Sequence, residues 1–207
     1  MTTTLYRPVG LHELALLWDS GCRAFPPRLS HQPIFYPVAN AEYAHQIARD
    51  WNTPDEASGY CGFVTRFSVD TDWLSRFAPK IVGSSVHVEY WIPAEELNEF
   101  NHSISGGIQV DAAHFGEQFV GHVPAKGILR GLNAAQQCHG LSQIHSDGGD
   151  LCAEVTSNKK AVFLNYLFWK QSDFSTWQVS AEQQLALLAA LRTAWTSCES
   201  VCTLPGM

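Results

Sequence analysis

Two stretches of this chain fold most naturally as strands with two different faces. Residues 86–92 set Val86, Val88, Tyr90 and Ile92 against His87, Glu89 and Trp91, which is the two-residue alternation of an extended backbone. Residues 62–69 oppose Phe63, Thr65, Phe67 and Val69 to Val64 and Arg66 in the same way. Helical stripes precede them. Leu11, Leu14, Ala15 and Trp18 recur at three- and four-residue spacing, with Gly21 as the stop. Ala44, Ile47, Ala48 and Trp51 make a second stripe, with Asn40 placed to cap it. Residues 3–7 and 34–38 read as strands, and Pro37 confines the latter to an edge or a bulge. Residues 70–77 read as a helical turn. Pro93 opens a short helix with Glu95 and Glu96 in its first turn, where the dipole favours them. One more strand follows over 107–112.

After residue 117 the pattern changes. Residues 124–143 are helix-like, weakened by Gly127, Gly131 and Gly140. Two apolar runs, 151–156 and 161–169, flank a polar stretch and read as a hairpin. Ser180 and Gln183 form a capping box ahead of a helix bearing Leu187, Leu188, Leu191, Ala194 and Trp195. The expectation is an α+β protein: a domain over 1–117, and a smaller C-terminal α+β annex over 118–207 packed on it.

Charge divides at the same place. The chain of 207 residues has a net charge of -7. Residues 1–117 hold seven Lys/Arg and fourteen Asp/Glu, and residues 118–207 hold six of each. The deficit therefore belongs wholly to the first segment. An acidic chain is a poor general binder of nucleic acid or anionic membrane. No run of 18 apolar residues and no N-terminal signal pattern occurs, so a cytoplasmic location without membrane contact is expected. The six cysteines match no zinc-ligand spacing and read as free thiols.

Three groups could carry chemistry. Arg7 ends the first strand, where it covers apolar surface with its stem, pairs with a nearby acid, or binds an anion. Glu89 stands mid-strand, an unusual place for Glu, between His87 and Trp91. Phe35 and Tyr36, with Tyr43 on the next helix, are aromatic and by themselves suit a core. The sequence holds no Walker A, dinucleotide GxGxxG or GxSxG motif.

Taken in order, Leu5-Tyr6-Arg7, then 33–38 with 40–44, then His87-Val88-Glu89-Tyr90-Trp91-Ile92-Pro93 resemble the three motifs of the ADP-ribosyltransferase superfamily. The stretch also resembles short bacterial proteins loosely named ADP-ribosylation/crystallin J1. The resemblance covers residues 3–117. It implies a split β-sheet core that binds NAD, breaks the nicotinamide–ribose bond and transfers ADP-ribose. Glu89 would then stabilise the oxocarbenium-like sugar and orient the acceptor, and Arg7 would hold the diphosphate or ribose. Tyr36 or Phe35 would pack on the nicotinamide. Tyr43 and His87 would complete the cofactor site, and Arg23 and Arg28 would be further anion contacts. Protein, small molecule or water is favoured as acceptor over a long nucleic acid. Pro8 stands where many members carry Gly, and no Ser-Thr-Ser strand is present. A catalytically silent binding or regulatory module, such as a toxin partner, is therefore the alternative. An ADP-ribosyl hydrolase, a helical fold with clustered acids and divalent metals, is disfavoured.

Overall fold

A computed structural model describes residues 1–198 and 200–207. The chain forms two compact units, Met1–Glu117 and Gln118–Met207.

The first unit is a small antiparallel sheet with short helices. In chain order it contains β1 (Thr2–Val9), α1 (Leu11–Asp19), β2 (Ile34–Phe35), α2 (Ala41–Ile47), β3 (Cys61–Asp70), α3 (Thr71–Leu74), β4 (Lys80–Ile81), β5 (Val88–Glu89), β6 (Ile92–Pro93), α4 (Leu97–Ser103) and β7 (Ile104–Phe115). β3 is the central strand, paired on one side with β1 and on the other with β7. The alternation read in residues 62–69 is its two-sidedness. On one face Phe67 meets Phe25 at 5.0 Å between ring centroids, Phe25 meets Phe35 at 4.9 Å, and Phe35 meets Phe100 at 5.1 Å. On the other face Val64 packs with Val38, Tyr43, Ala44 and Ala48. α2 can lie that close because β3 carries Gly62. A Cβ there would stand 2.4 Å from the Ala48 carbonyl oxygen. Asn40 caps α2 as expected, its side chain accepting from the Tyr43 N–H at 2.9 Å.

The continuous strand expected over 86–92 is not formed. β5 and β6 are two residues each, with Tyr90 and Trp91 between them. Even so, the segment runs antiparallel to 33–39 in a single register. Ala39 N–H donates to Val88 O, Tyr90 N–H to Pro37 O, and Ala94 N–H to Pro33 O, all at 2.8–2.9 Å, while Phe35 faces Ile92. Pro37 and Pro33 have no N–H to return the second bond of each pair, so the ladder is interrupted.

The second unit holds α5 (Ala134–Ser146), α6 (Leu151–Ser157), α7 (Lys159–Gln171) and α8 (Ala181–Ser197), with a 3-10 turn at Ser175–Trp177. No strand occurs there among the described residues. This corrects the α+β annex: the expected hairpin over 151–156 and 161–169 is α6 followed by α7. The reason is burial on all sides. Ala161 to Leu167 and Trp169 are all buried, so the run shows neither a helical stripe nor an alternation, and periodicity cannot separate the two. Helix α5 begins at Ala134 rather than near 124, because Gly127 and Gly131 take φ of +75° and +74°. Its start is fixed by a capping box of Asn133 and Gln136. The Ser180–Gln183 box opens α8 as expected.

No helix among the described residues is long and apolar enough to cross a membrane. Cys61, Cys138, Cys152 and Cys198 carry free thiols. Cys22 and Cys202 do not, which corrects the reading of all six as free.

Candidate functional site

The sheet of the first unit splits at its edge, and proline causes the split. β1 meets the 33–39 segment at one point, where Tyr6 and Val38 exchange both backbone bonds, at 2.9 and 2.8 Å. In an antiparallel ladder the next hydrogen-bonded pair would be Pro8 with Tyr36. Pro8 has no N–H to give the Tyr36 carbonyl. The Arg7 guanidinium reaches that carbonyl instead, from Nη1 at 3.3 Å. Here lies a cavity of about 340 Å³ lined by Arg7, Pro8, Arg28, Tyr36, Val38, Ile47, Trp51 and Glu89. Its volume is at the lower end of the range for small-molecule pockets.

Arg7 is only 8% exposed. Its Nε and Nη2 donate to the two oxygens of Glu13 at 2.7 and 3.1 Å, a forked pair that meets the cost of burying the charge. Its guanidinium carbon lies 4.5 Å from the centroid of the Phe35 ring. Arg28 is the second cation. Its Nε donates to the Ile34 carbonyl at 3.2 Å. Burial lowers its pKa from the ordinary arginine value, and the neighbouring Arg7 charge adds to the effect. Two like charges close together, only one of them in a forked pair, form a place where an anion is welcome.

Glu89 stands across the cavity on β5. One carboxylate oxygen accepts from the Tyr43 hydroxyl at 2.8 Å, the other from the Trp91 indole N–H at 2.8 Å. These donors hold the carboxylate in a fixed orientation. Tyr43 is buried, and its pKa is pushed up to about 12, first by that burial and then by its hydrogen bond to Glu89. Its phenol is therefore a donor at any ordinary pH. The Tyr36 ring meets Trp91 edge-on at 5.8 Å, leaving Tyr36 38% exposed at the cavity wall.

Arg7, Tyr36, Glu89 and Arg28 thus share one cavity. The other expected residues stand elsewhere. Phe35 is completely buried in the aromatic core beneath Arg7, so it cannot stack on a ligand. Tyr43 lies behind Glu89 and supports it. His87 stacks on Tyr43 at 4.3 Å and contacts the Gln46 side-chain oxygen at 3.0 Å, outside the cavity lining. Arg23 is exposed and away from the cavity. Glu13 occupies the fork of Arg7, which meets the expectation that this arginine pairs with a nearby acid. Trp51, expected on the buried stripe of its helix, is 58% exposed at the cavity rim. Residues Ala48–Asn52 form a π-helical turn, which adds a residue per turn and rotates Trp51 off the stripe of Ala44 and Ala48.

Comparison with protein-family models, with curated proteins and with solved structures returns no match.

Proposed function

We propose that Met1–Glu117 is an ADP-ribosyltransferase-like domain with a split-sheet core. It binds NAD in the Arg7–Arg28–Tyr36–Glu89 cavity and breaks the nicotinamide–ribose bond. The observation that supports this is the convergence of three residues from separate segments: Arg7 of β1, Tyr36 beside β2 and Glu89 of β5 all line one cavity. The residues suit the chemistry. Arg28 and Arg7 offer guanidinium groups to a diphosphate. Tyr36 and Trp51 present aromatic faces to a flat ring. Glu89, oriented by Tyr43 and Trp91, offers a fixed negative charge to the cation that develops on the ribose, and it can accept a proton from an acceptor hydroxyl or water.

A second reading is favoured by one observation: Glu13 already fills the fork of Arg7. In a silent module the cavity would bind the nucleotide without turning it over. The hydrolase reading draws no support, since no three His, Cys, Asp or Glu among the described residues are grouped to hold a metal ion.

Nicotinamide release and label transfer from labelled NAD, with cell extract as acceptor source, separate the two readings. The expected result is release by the wild type and at least a ~100-fold loss in Glu89→Gln. Equal background from both removes the enzyme reading. A thermal upshift with NAD that disappears in Arg28→Ala then retains the binding module, and no upshift in either protein removes both.

A further inference from the structure

The second unit carries a pair of cysteines that the cavity chemistry does not use. Cys152 lies in the first turn of α6, and Cys198 follows the last residue of α8. Their sulfurs are 3.7 Å apart. Cys152 is exposed and Cys198 is half-buried. The other free thiols differ in access: Cys61 and Cys138 are fully buried, so neither can meet a disulfide from solution, whereas Cys152, its thiol raised chiefly by the hydrogen bond to Cys198, is open to water.

We propose that Cys152 and Cys198 form a dithiol site that reacts with small-molecule disulfides and closes to an intramolecular disulfide. The surroundings hold both chain segments in place for this. The Thr156 hydroxyl stands 3.0 Å from the Cys198 sulfur and donates to the Cys152 carbonyl at 2.8 Å. Lys159 Nζ donates to the Cys198 carbonyl at 2.5 Å. A disulfide bond is about 2.05 Å long, so the sulfurs must approach by roughly 1.7 Å, within reach of side-chain rotation.

The exchange balances in two steps. One cysteine loses its proton to water, and its thiolate attacks a sulfur of the incoming disulfide. A mixed disulfide forms and one small-molecule thiolate leaves. The second cysteine, also deprotonated, then attacks the protein sulfur of the mixed disulfide. The Cys152–Cys198 bond forms, and the second small-molecule thiolate leaves and takes up a proton. Two protein thiols are oxidised and one external disulfide is reduced to two thiols. With the second sulfur already in contact, the mixed disulfide is short-lived.

Oxidised glutathione, followed by intact-mass measurement under non-reducing conditions, tests this on the full-length protein. The wild type should lose two hydrogens. It should retain about tenfold less glutathione than either Cys152→Ser or Cys198→Ser, each of which should keep one adduct. Fragmentation of the digest should place the new bond between residues 152 and 198. Unchanged circular dichroism in both variants shows that the fold is intact. Glutathione retained by the wild type as by the single variants overturns the proposal. So does a new bond to any other cysteine, or no reaction at either sulfur.

Discussion

The two units bury different kinds of polar group. Among the described residues, the buried polar groups of the first are Thr65 and a charged side chain, Arg7; those of the second are Gln137, Ser142, Asn158 and Asn165, all neutral. The neutral groups have a packing explanation. Asn165 donates to the His122 carbonyl at 3.0 Å and to Gln137 Oε1 at 2.9 Å, and it accepts from the His122 N–H at 2.9 Å. The arrangement ties a loop to α5 and α7 at little cost, because every amide is satisfied. Burying a guanidinium and its counter-ion is costly, and well-packed apolar side chains of similar size generally do as well or better. The first unit also carries the whole of the net negative charge, yet it sets two arginines at one cavity. The contrast sets the buried charge of the split sheet, where the NAD site is proposed, apart from the neutral packing of the helical unit.

The largest expected effect tests that contrast directly. Arg7→Met should destabilise the protein by about 3 kcal/mol, because Glu13 keeps its charge and loses its forked partner, with only the neighbouring Arg28 to offset it. Adding Glu13→Leu should recover most of the loss in urea unfolding, while NAD binding stays abolished. A double variant as unstable as the single one would show that the pair is structural and break the comparison. In the second unit, Asn165→Leu should cost about 2–3 kcal/mol by leaving the Gln137 oxygen and the His122 N–H unsatisfied. A loss below about 0.5 kcal/mol, measured the same way, would show that these amides find other partners.

The smallest effect compares two tyrosines. Tyr43 donates to Glu89, whereas the Tyr166 hydroxyl accepts from Arg192 Nε at 2.8 Å. Burial raises both pKa values, but Arg192 pulls Tyr166 back, and Glu89 pushes Tyr43 further, to about 12. A raised phenol contributes stability that is complete below its ordinary value near 10 and is lost as pH rises from about 10 to 12. Tyr43→Phe should flatten the fall in stability over that window more than Tyr166→Phe does. Phenolate absorbance should lose its highest-pH step only in Tyr43→Phe.

Much of the local structure was legible in residue order. β3, the first turn of α2 under Asn40, and the capping box of α8 follow from patterns confined to a few neighbours, where alternation, capping and dipole effects act. The order of Arg7, Tyr36 and Glu89 was legible as well. Their meeting was not, since it depends on the register of 33–39 against 88–94 and on the single Tyr6–Val38 contact. Those pairings join residues far apart in the chain.

The sequence by itself determined that residues 62–69 have two faces, where several helices begin, and that the excess of acidic residues lies wholly in the first segment. Only the tertiary structure decided that α6 and α7 are helices, because burial on every side erases the period that would reveal them. Pro8 shows the limit best. In the sequence it is a missing donor in a motif. In the fold, that missing N–H ends the pairing of β1 with its neighbour, frees the Tyr36 carbonyl for Arg7, and opens the cavity that Glu89 faces.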